Sequence, residues 1–256
     1  MRVITWNVAG RVARQSEQAE AVVGSAADVV ALQEVTARTA PLWRAALAEA
    51  GFAAIETTLD APAERKRALG VLLAAREPLR RLPPPDGLPW PERVLSCALG
   101  DVEIVNVHSP ISPAPELAKV RTHEAVAAYL SKARPPLILC GDLNTPRREL
   151  PDGDVLTFAH DSAGRLRPDR GERWNEAERA LVHGLRERGW VDAFRALHGY
   201  GERSASWTFP QDRGGWRLDH LLALGLEPAA AEYAHEWRRS GLSDHSALIV
   251  DLRSAA

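Results

Sequence analysis

Six apolar runs of this sequence, each long enough for a buried strand, meet an acidic, amide or imidazole side chain at one end. Four runs are followed by such residues: Asn7, Glu34, His108, and then Asp142 with Asn144. Two runs are preceded by them: Asp219, and then Asp244 with His245. In an all-parallel sheet, site residues lie beyond the carboxyl ends of the strands. The carboxyl ends of some strands and the amino ends of others lie at the same edge of a sheet only when those strands are antiparallel. The pattern therefore predicts mixed sheets.

The remaining periodicity predicts an α/β chain with two such sheets packed face to face and helices outside. Apolar runs predict strands at 2–8, 28–33, 69–75, 93–99, 102–108, 136–141, 217–224 and 246–252. Helical spacing predicts helices at about 13–25, 37–50, 114–133 and 175–188. The proline-rich segment 76–92 predicts a surface connection. The stretch 145–174 carries several arginines and predicts a long loop, which in a compact domain is usually functional.

Composition narrows the function classes. The chain has 256 residues and a formal net charge of −2, so no broad basic field attracts nucleic acid and any polyanion must bind locally. Cys97 and Cys140 lie in apolar runs and predict buried free thiols, which suit a reducing compartment. The chain shows neither a signal-peptide pattern nor an apolar span of membrane length. We therefore expect one domain over 1–256, a cytoplasmic monomer and no membrane partner.

The polar residues at the strand ends fit the hydrolysis of a phosphoester, which needs a positioned water, charge neutralisation and help for the leaving oxygen. Oxygen ligands of this kind suit Mg²⁺ or Mn²⁺; they are Asn7, Glu34, Asp142, Asn144 and Asp244. His245 is a candidate general base, oriented by a carboxylate such as Asp219. His108 is a candidate hydrogen-bond donor to the phosphate or leaving group, and Arg93 is a candidate phosphate clamp.

Each residue alone is more often a turn or cap residue, so the interpretation depends on the joint pattern. The other histidines have no comparable placement and are interpreted as structural or surface residues; they are His123, His160, His183, His198, His220 and His235.

Seven motifs, in this order and over almost the whole chain, resemble the endonuclease/exonuclease/phosphatase superfamily. That superfamily includes exonuclease III, abasic-site endonucleases, DNase I and inositol polyphosphate 5-phosphatases. The motifs are TWNVAG (5–10), LQEV (32–35), NVHSP (106–110), GDLN (141–144), SWTF (206–209), GWRLDHLL (215–222) and SDHSAL (243–248).

The resemblance implies a DNase I-like, four-layer sandwich of two mixed β-sheets flanked by helices. It implies a divalent metal, Mg²⁺ or Mn²⁺, held chiefly by Glu34 with Asn7 and Asp244 nearby. It implies that Asp142 and Asn144 act at the scissile phosphate and the nucleophile. It also implies a histidine–carboxylate dyad of His245 and Asp219. Whether the dyad or Asp142 activates the water stays open.

Within the superfamily, the segment 174–195 resembles exonuclease III-like enzymes and abasic-site endonucleases. In abasic-site enzymes the aromatic residues near SWTF and GWRLD form the pocket for a flipped-out sugar, which implies that Trp207 and Trp216 bind substrate with Leu218 beside them. Core packing is the alternative for both tryptophans. The chain departs from these enzymes at His108, which resembles the histidine of DNase I and the phosphatases, and at Ala9, where some carry an aspartate.

Three functions follow in order of preference. The first is a Mg²⁺-dependent DNA nuclease of exonuclease III-like type, as in DNA repair, whose loop 145–174 binds phosphates through Arg147, Arg165 and Arg167. The second is a phosphatase or phosphodiesterase for a small or lipid phosphoester, similar to inositol phosphatases or sphingomyelinases, which His108 favours. The third, a catalytically silent binding module, is disfavoured because the site residues are all present.

Overall fold

The computed structural model describes residues 1–60, 68–210 and 213–254. The strands in these ranges are β1 (Arg2–Asn7), β2 (Val29–Val35), β3 (Ala54–Thr57), β4 (Gly70–Ala75), β5 (Leu79–Arg81), β6 (Val94–Leu99), β7 (Val102–His108), β8 (Leu137–Asp142), β9 (Arg148–Glu149), β10 (Val155–Leu156), β11 (Val191–Asp192), β12 (Trp207–Thr208), β13 (Gly215–Trp216), β14 (Asp219–Leu224), β15 (Leu226–Ala234) and β16 (Ala247–Ser254). The α-helices are α1 (Gln15–Gly24), α2 (Ala40–Glu49), α3 (Ala118–Leu130), α4 (Gly171–Val182), α5 (Gly184–Glu187), α6 (Ala193–His198) and α7 (His235–Arg239).

Two mixed sheets of six strands each form the body of the molecule. The first sheet has the order β15-β16-β1-β2-β4-β3, and the second has the order β11-β14-β8-β7-β6-β5. In the first, β1 runs parallel to β2 and antiparallel to β16. In the second, β8 runs parallel to β7 and antiparallel to β14. The mixed sheets predicted from the sequence are therefore confirmed.

Three apolar clusters separate four layers. One cluster joins the facing sides of the two sheets, for example Val3 of β1 with Ile138 of β8. A second packs the outer side of the first sheet against α1 and α2 through Val22 and Trp43. A third packs the outer side of the second sheet against α3 and α4 through Val126 and Leu181. Because both faces of the central strands are covered, these strands read as continuous apolar runs.

A polar cross-link joins the two sheets within this core. The Gln33 side chain donates to Asn106 Oδ1 over 2.8 Å, and Asn106 donates to the carbonyl oxygens of Leu32 and Leu72 over 3.1 and 2.9 Å. Both side chains are fully buried, and the bonds satisfy the Asn106 amide group and the Gln33 amide nitrogen. The cross-link joins β7 to β2 close to the candidate site, because Gln33 lies one residue before Glu34 and Asn106 lies two residues before His108.

The elements that the sequence did not predict are short or lie at sheet edges. Strands β3, β5 and β15 lie at or next to edges, and β5 falls within the proline-rich segment 76–92. β15 carries small and charged residues, so it lacks the apolar signal of a central strand. The predicted helix 175–188 is two helices, α4 and α5, and the predicted loop 145–174 contains the paired strands β9 and β10.

Cys97 and Cys140 are buried free thiols, as expected. Within the described ranges, no helix combines the length and apolar character needed to cross a bilayer.

Candidate functional site

The candidate site lies where the two sheets face each other at one edge. Residues two apart on a strand share a face, so Asn7 follows Val3 and Thr5 toward the space between the sheets. Asp142 follows Ile138 and Cys140 in the same way. In the second sheet, His108 of β7 is paired with Asp142 of β8, and Asp142 with Asp219 of β14. Register alone thus aligns three predicted site residues across three strands.

Gly141 makes this alignment possible. It has φ 127°, and a Cβ built on it would lie 2.0 Å from the carbonyl oxygen of Val107. Any other residue would push β8 away from β7, because real Cβ atoms do not approach backbone so closely. The glycine of the GDLN motif therefore sets the distance between His108 and Asp142.

Asp142 is held by hydrogen bonds to both of its oxygens. The backbone N–H of Asn144 donates to Oδ1 over 2.9 Å, and Asn7 Nδ2 donates to Oδ2 over 3.0 Å. The same Asn7 nitrogen lies 3.2 Å from Glu34 Oε1. Asn7 therefore bridges the two carboxylates and connects the first sheet to the second. Burial raises the pKa of Asp142 to about 7, while His245 and these hydrogen bonds act in the opposite direction.

His245 and Asp219 form the expected dyad, with Nδ1 of the imidazole 2.7 Å from Asp219 Oδ2. The other ring nitrogen, Nε2, lies 3.9 Å from Asp142 Oδ2. Burial disfavours the charged imidazole, but Asp219 and Asp142 outweigh it and raise the pKa of His245 to about 10. The backbone of His245 is fixed as well, because its carbonyl accepts from Trp6 Nε1 over 2.9 Å.

His108 lies on the opposite side of Asp142. Its Nε2 is 3.5 Å from Glu34 Oε1 and 4.0 Å from Asp142 Oδ2. Arg93 Nη1 lies 3.0 Å from His108 Nδ1, and its guanidinium also stacks over the Trp90 ring. Burial, Arg93 and His245 together hold the pKa of His108 well below its usual range, so the ring is neutral. Arg93, the predicted phosphate clamp, is itself buried against this imidazole.

The carboxylates offer ligand atoms that the protein leaves free. Glu34 is the more exposed of them, and no described residue donates a hydrogen bond to its Oε2. Asp219 Oδ1 is buried and has no hydrogen-bond partner among the described residues. An oxygen-rich set with such free atoms fits a hard divalent cation.

The predicted metal ligands are only partly brought together. Asn7 contacts Glu34, whereas Asp244 is exposed beside His245. Within the described ranges, the one group of at least three carboxylate or imidazole residues whose ligand atoms lie within 4.8 Å of one another is Asp142, Asp219 and His245. The ligand set Asn7, Glu34 and Asp244 stays a prediction.

Three buried side chains that the sequence analysis did not select hold the GDLN loop. His123 Nε2 donates to the carbonyl of Leu143 over 3.2 Å, and Lys119 Nζ donates to that of Asn144 over 2.6 Å. His220 Nε2 donates to the carbonyl of Thr145 over 2.8 Å. Each of these three consecutive carbonyls therefore has a buried side-chain donor.

Asn144 itself has φ 51°, which amide side chains tolerate. Its Nδ2 donates to the carbonyl of Ser109 over 2.8 Å.

Lys119 belongs to a buried ion pair between α3 and α4. Its ammonium lies 2.6 Å from Glu178 Oε1 and 4.7 Å from the centre of the Phe158 ring. Glu178 also accepts from Thr145 Oγ1 and the Phe158 N–H, each over 2.8 Å. A lysine on one helix and a glutamate some sixty residues later give no joint signal in a single sequence.

Four aromatic rings form a cluster that is connected to the dyad through Trp207. Trp207 and Trp216 face each other across the β12–β13 ribbon, with centroids 5.2 Å apart and planes 10° apart. Phe209 and Phe158 contact the edge of this pair. Trp207 also pairs with His245 in an isolated antiparallel bridge. Both tryptophans are half-buried, so they are neither core residues nor freely exposed, and Leu218 beside them is buried.

The arginines of the stretch 145–174 differ in whether they form ion pairs. Arg165, Arg167 and Arg173 form ion pairs with Asp161, Asp169 and Glu124 over 2.8 to 2.9 Å. Arg147 has no ion pair with a described residue.

Comparisons with known proteins agree with this geometry. No curated protein matched the sequence. Among solved structures, an AP endonuclease from Archaeoglobus fulgidus superposes with a TM-score of 0.72 at 19% identity, over 98% of both chains. The 3'-5' exonuclease NExo from Neisseria meningitidis superposes with a TM-score of 0.68 at 20% identity, over 98% of this chain and 99% of that one. A structure of 3' phosphatase NExo from Neisseria, bound to a product DNA hairpin, gives 0.67 at 20% identity, over 99% of both chains.

At identities of 19–20%, these superpositions show a shared fold. The sequence itself matches the profile of the Endonuclease/Exonuclease/phosphatase family over residues 4–245, which includes every candidate site residue. The chain therefore belongs to the Endonuclease/Exonuclease/phosphatase family, whose members are phosphoesterases.

Proposed function

We propose that this chain hydrolyses phosphodiester bonds in DNA with the aid of Mg²⁺ or Mn²⁺. The observation that carries the proposal is the meeting of Asn7, Glu34, Asp142, Asp219 and His245 at one sheet edge, beside a pair of stacked tryptophans. The carboxylates and the imidazole supply hydrolytic chemistry, and the aromatic faces supply a surface for a sugar or base.

Glu34, supported by Asn7 and with Asp244 nearby, is the proposed cation site. A divalent cation bound there would neutralise phosphate charge and polarise the phosphoryl oxygen. Asn7 has a second role, since it holds Asp142 and Glu34 in a fixed relation through one amide nitrogen.

Either Asp142 or the His245–Asp219 dyad would accept the proton of the attacking water. Nε2 of His245 and Oδ2 of Asp142 lie 3.9 Å apart, so both groups face the same reacting centre. Asn144 and His108 are the proposed donors to the phosphate and the leaving oxygen. Where Asp142 is the base, His245, whose pKa is raised to about 10 by Asp219 and Asp142, would stay protonated and stabilise the negative charge that develops in the transition state.

The tryptophan pair supports DNA as the substrate. Aromatic stacking is worth about 1–3 kcal/mol per base and tolerates any sequence. His108 supports the second candidate, a small or lipid phosphoester, because a buried neutral imidazole near Glu34 is a hydrogen-bond donor to any phosphate.

A substrate panel tests this proposal. Purified protein with Mg²⁺ is assayed on duplex, single-stranded and abasic DNA, on RNA and on inositol phosphates, with the Asp142→Asn variant as a background control. We expect DNA to be hydrolysed with the highest kcat/KM and Asp142→Asn to lose activity on every substrate. Faster turnover of inositol phosphates or lipid headgroups than of any nucleic acid would replace the first candidate by the second.

A further inference from the structure

A cleft of about 1200 Å³ opens directly beside the candidate site. Its walls come from residues 146–151, residues 200–205, the β12–β13 ribbon and helix α7. It begins at Pro146, which follows the GDLN loop, and Trp216 forms part of its lining. A strand held at Asn144 and the tryptophans would therefore continue into this cleft.

The floor of the cleft is a buried network in which charges cancel. Arg217 lies 2.5 Å from Glu149 and 2.6 Å from Asp192, and Arg195 lies 2.6 Å from Glu149. Two guanidiniums thus face two carboxylates, and all four side chains are at most 10% exposed. Burial works against ionisation of Glu149, but Arg217 and Arg195 outweigh it and lower its pKa to about 2. The floor is consequently rigid and contributes no net charge.

The rim, in contrast, carries cations without matching acids. Arg147 and Arg148 belong to the lining segment 146–151, and Arg203 belongs to the lining segment 200–205. No described carboxylate forms an ion pair with any of the three, and Arg148 and Arg203 are exposed. Apart from Glu149 in the floor, the only acid in the lining among described residues is Glu202.

The same chain neutralises comparable arginines elsewhere. Arg165, Arg167 and Arg173 each have a carboxylate partner within 2.9 Å. Arg147 instead lies near another cation, because burial first, and then Arg167 and Arg147, lower the pKa of Arg170. In a molecule of net charge −2, guanidiniums without ion pairs on two segments of one cleft form a site for anions.

We propose that this cleft binds the backbone phosphates of the DNA strand that continues past the scissile phosphodiester, with Arg147, Arg148 and Arg203 as the phosphate ligands. This inference rests on the proposed function. The volume exceeds that of typical small-molecule pockets, and the cations are spread over two walls, as a chain of several phosphates requires.

The test compares two triple variants with the wild type. The cleft variant is Arg147→Ala/Arg148→Ala/Arg203→Ala. The matched surface variant is Arg44→Ala/Arg173→Ala/Arg253→Ala, which removes the same charge from arginines that pair with Asp60, Glu124 and Glu227. Binding of a fluorescent oligonucleotide duplex is measured by anisotropy over a range of salt concentrations, with Ca²⁺ in place of Mg²⁺. Hydrolysis of a small chromogenic phosphodiester is measured in Mg²⁺.

We expect the cleft variant to bind the duplex at least tenfold more weakly at low salt. Each lost phosphate contact reduces the slope of log K against log salt by about 0.9, so three contacts reduce it by roughly 2 to 3. The surface variant should remain close to the wild type, and both should hydrolyse the small phosphodiester at the wild-type rate.

Two contrary outcomes are distinguishable. Equal affinity of the cleft variant and the wild type, with DNA still hydrolysed by the wild type, would overturn the assignment of the cleft and leave the proposed function intact. A wild type that neither binds nor hydrolyses any oligonucleotide would overturn both.

Discussion

Glu34 and Asn144, both in the candidate site, adopt positive φ values of 58° and 51°. Such a conformation costs a residue other than glycine about 1–2 kcal/mol and persists only where the surroundings enforce it. At Glu34 the pairing of β2 with β4 is interrupted by a register shift, and this turns the carboxylate toward Asn7. Among the described residues, Ala9, Ala26, Glu116 and Leu117 share this conformation, and Glu34 and Asn144 are the two that the proposed chemistry uses.

The dyad gives a prediction at the residue scale. His245→Ala and Asp219→Asn should each reduce kcat/KM on a chromogenic phosphodiester by about 10²-fold or more. His245→Ala removes the imidazole, and Asp219→Asn removes the carboxylate that orients it. The double variant should lose little beyond either single variant, since residues that act as one unit are strongly non-additive.

His183→Ala serves as the control, because that imidazole pairs with Asp154 and Glu187 on the surface of α4 and α5. Circular dichroism would verify that all variants are folded. A loss in the double variant equal to the product of the two single losses would disprove the dyad.

At the scale of elements, α3 and α4 are the supports of the GDLN loop. Lys119 of α3 and Glu178 of α4 meet behind it, and each also contacts the loop itself through the Asn144 carbonyl or the Thr145 hydroxyl. Both side chains are essentially inaccessible to solvent. Removal of one partner from such a pair leaves an uncompensated charge in the interior, which typically costs 3–5 kcal/mol.

Lys119→Met should therefore lower the free energy of unfolding by about 3 kcal/mol or more, measured by urea denaturation. The double variant Lys119→Met/Glu178→Gln should recover part of that loss, because it removes the buried negative charge as well. The single and the double variant should both show a reduced kcat with little change in KM for a small substrate, because the Asn144 carbonyl loses the hydrogen bond from Lys119. A double variant no more stable than Lys119→Met would show that the charge pairing is not the source of the stability.

At the scale of the whole molecule, segments that are far apart in the chain together create the proposed cation site. Asn7 ends β1, Glu34 lies in β2, and Asp244 precedes β16. A cation bound between them would stabilise only the folded state, because the unfolded chain does not bring these residues together. The stabilisation follows RT ln(1 + [L]/Kd), which is about 2.7 kcal/mol at a hundredfold excess over Kd.

Mg²⁺ or Mn²⁺ should accordingly raise the Tm by several degrees in a concentration-dependent manner, and chelator should reverse the shift and abolish phosphodiester hydrolysis. In Glu34→Gln the shift should be lost while the metal-free Tm stays near that of the wild type, because this carboxylate is partly exposed and adds little to the core. The control is Glu49→Gln, an exposed carboxylate at the end of α2. An undiminished shift in Glu34→Gln, or full activity in excess chelator, would contradict the proposed site.

The sequence by itself determined the mixed strand directions and the residues at the site edge. Strand burial, side-chain alternation and the position of Asn7, Glu34, Asp142, Asp219 and His245 relative to their strands are local properties. They are visible because a buried strand leaves an apolar run whose end is marked by the first polar group. The dyad was expected from the same pattern and from the family resemblance, and the structure brings its two side chains together.

The tertiary structure alone decided what lies around these residues. The Gln33–Asn106 cross-link, the Lys119–Glu178 pair and the arginine-lined cleft join segments that are far apart in the chain. It also decided which arginines are paired and which are not, because ion pairing depends on distances of a few ångströms between loops. A single sequence reports which face of its own element a residue occupies. Which side chain of another element meets that face is set by the packing of the layers.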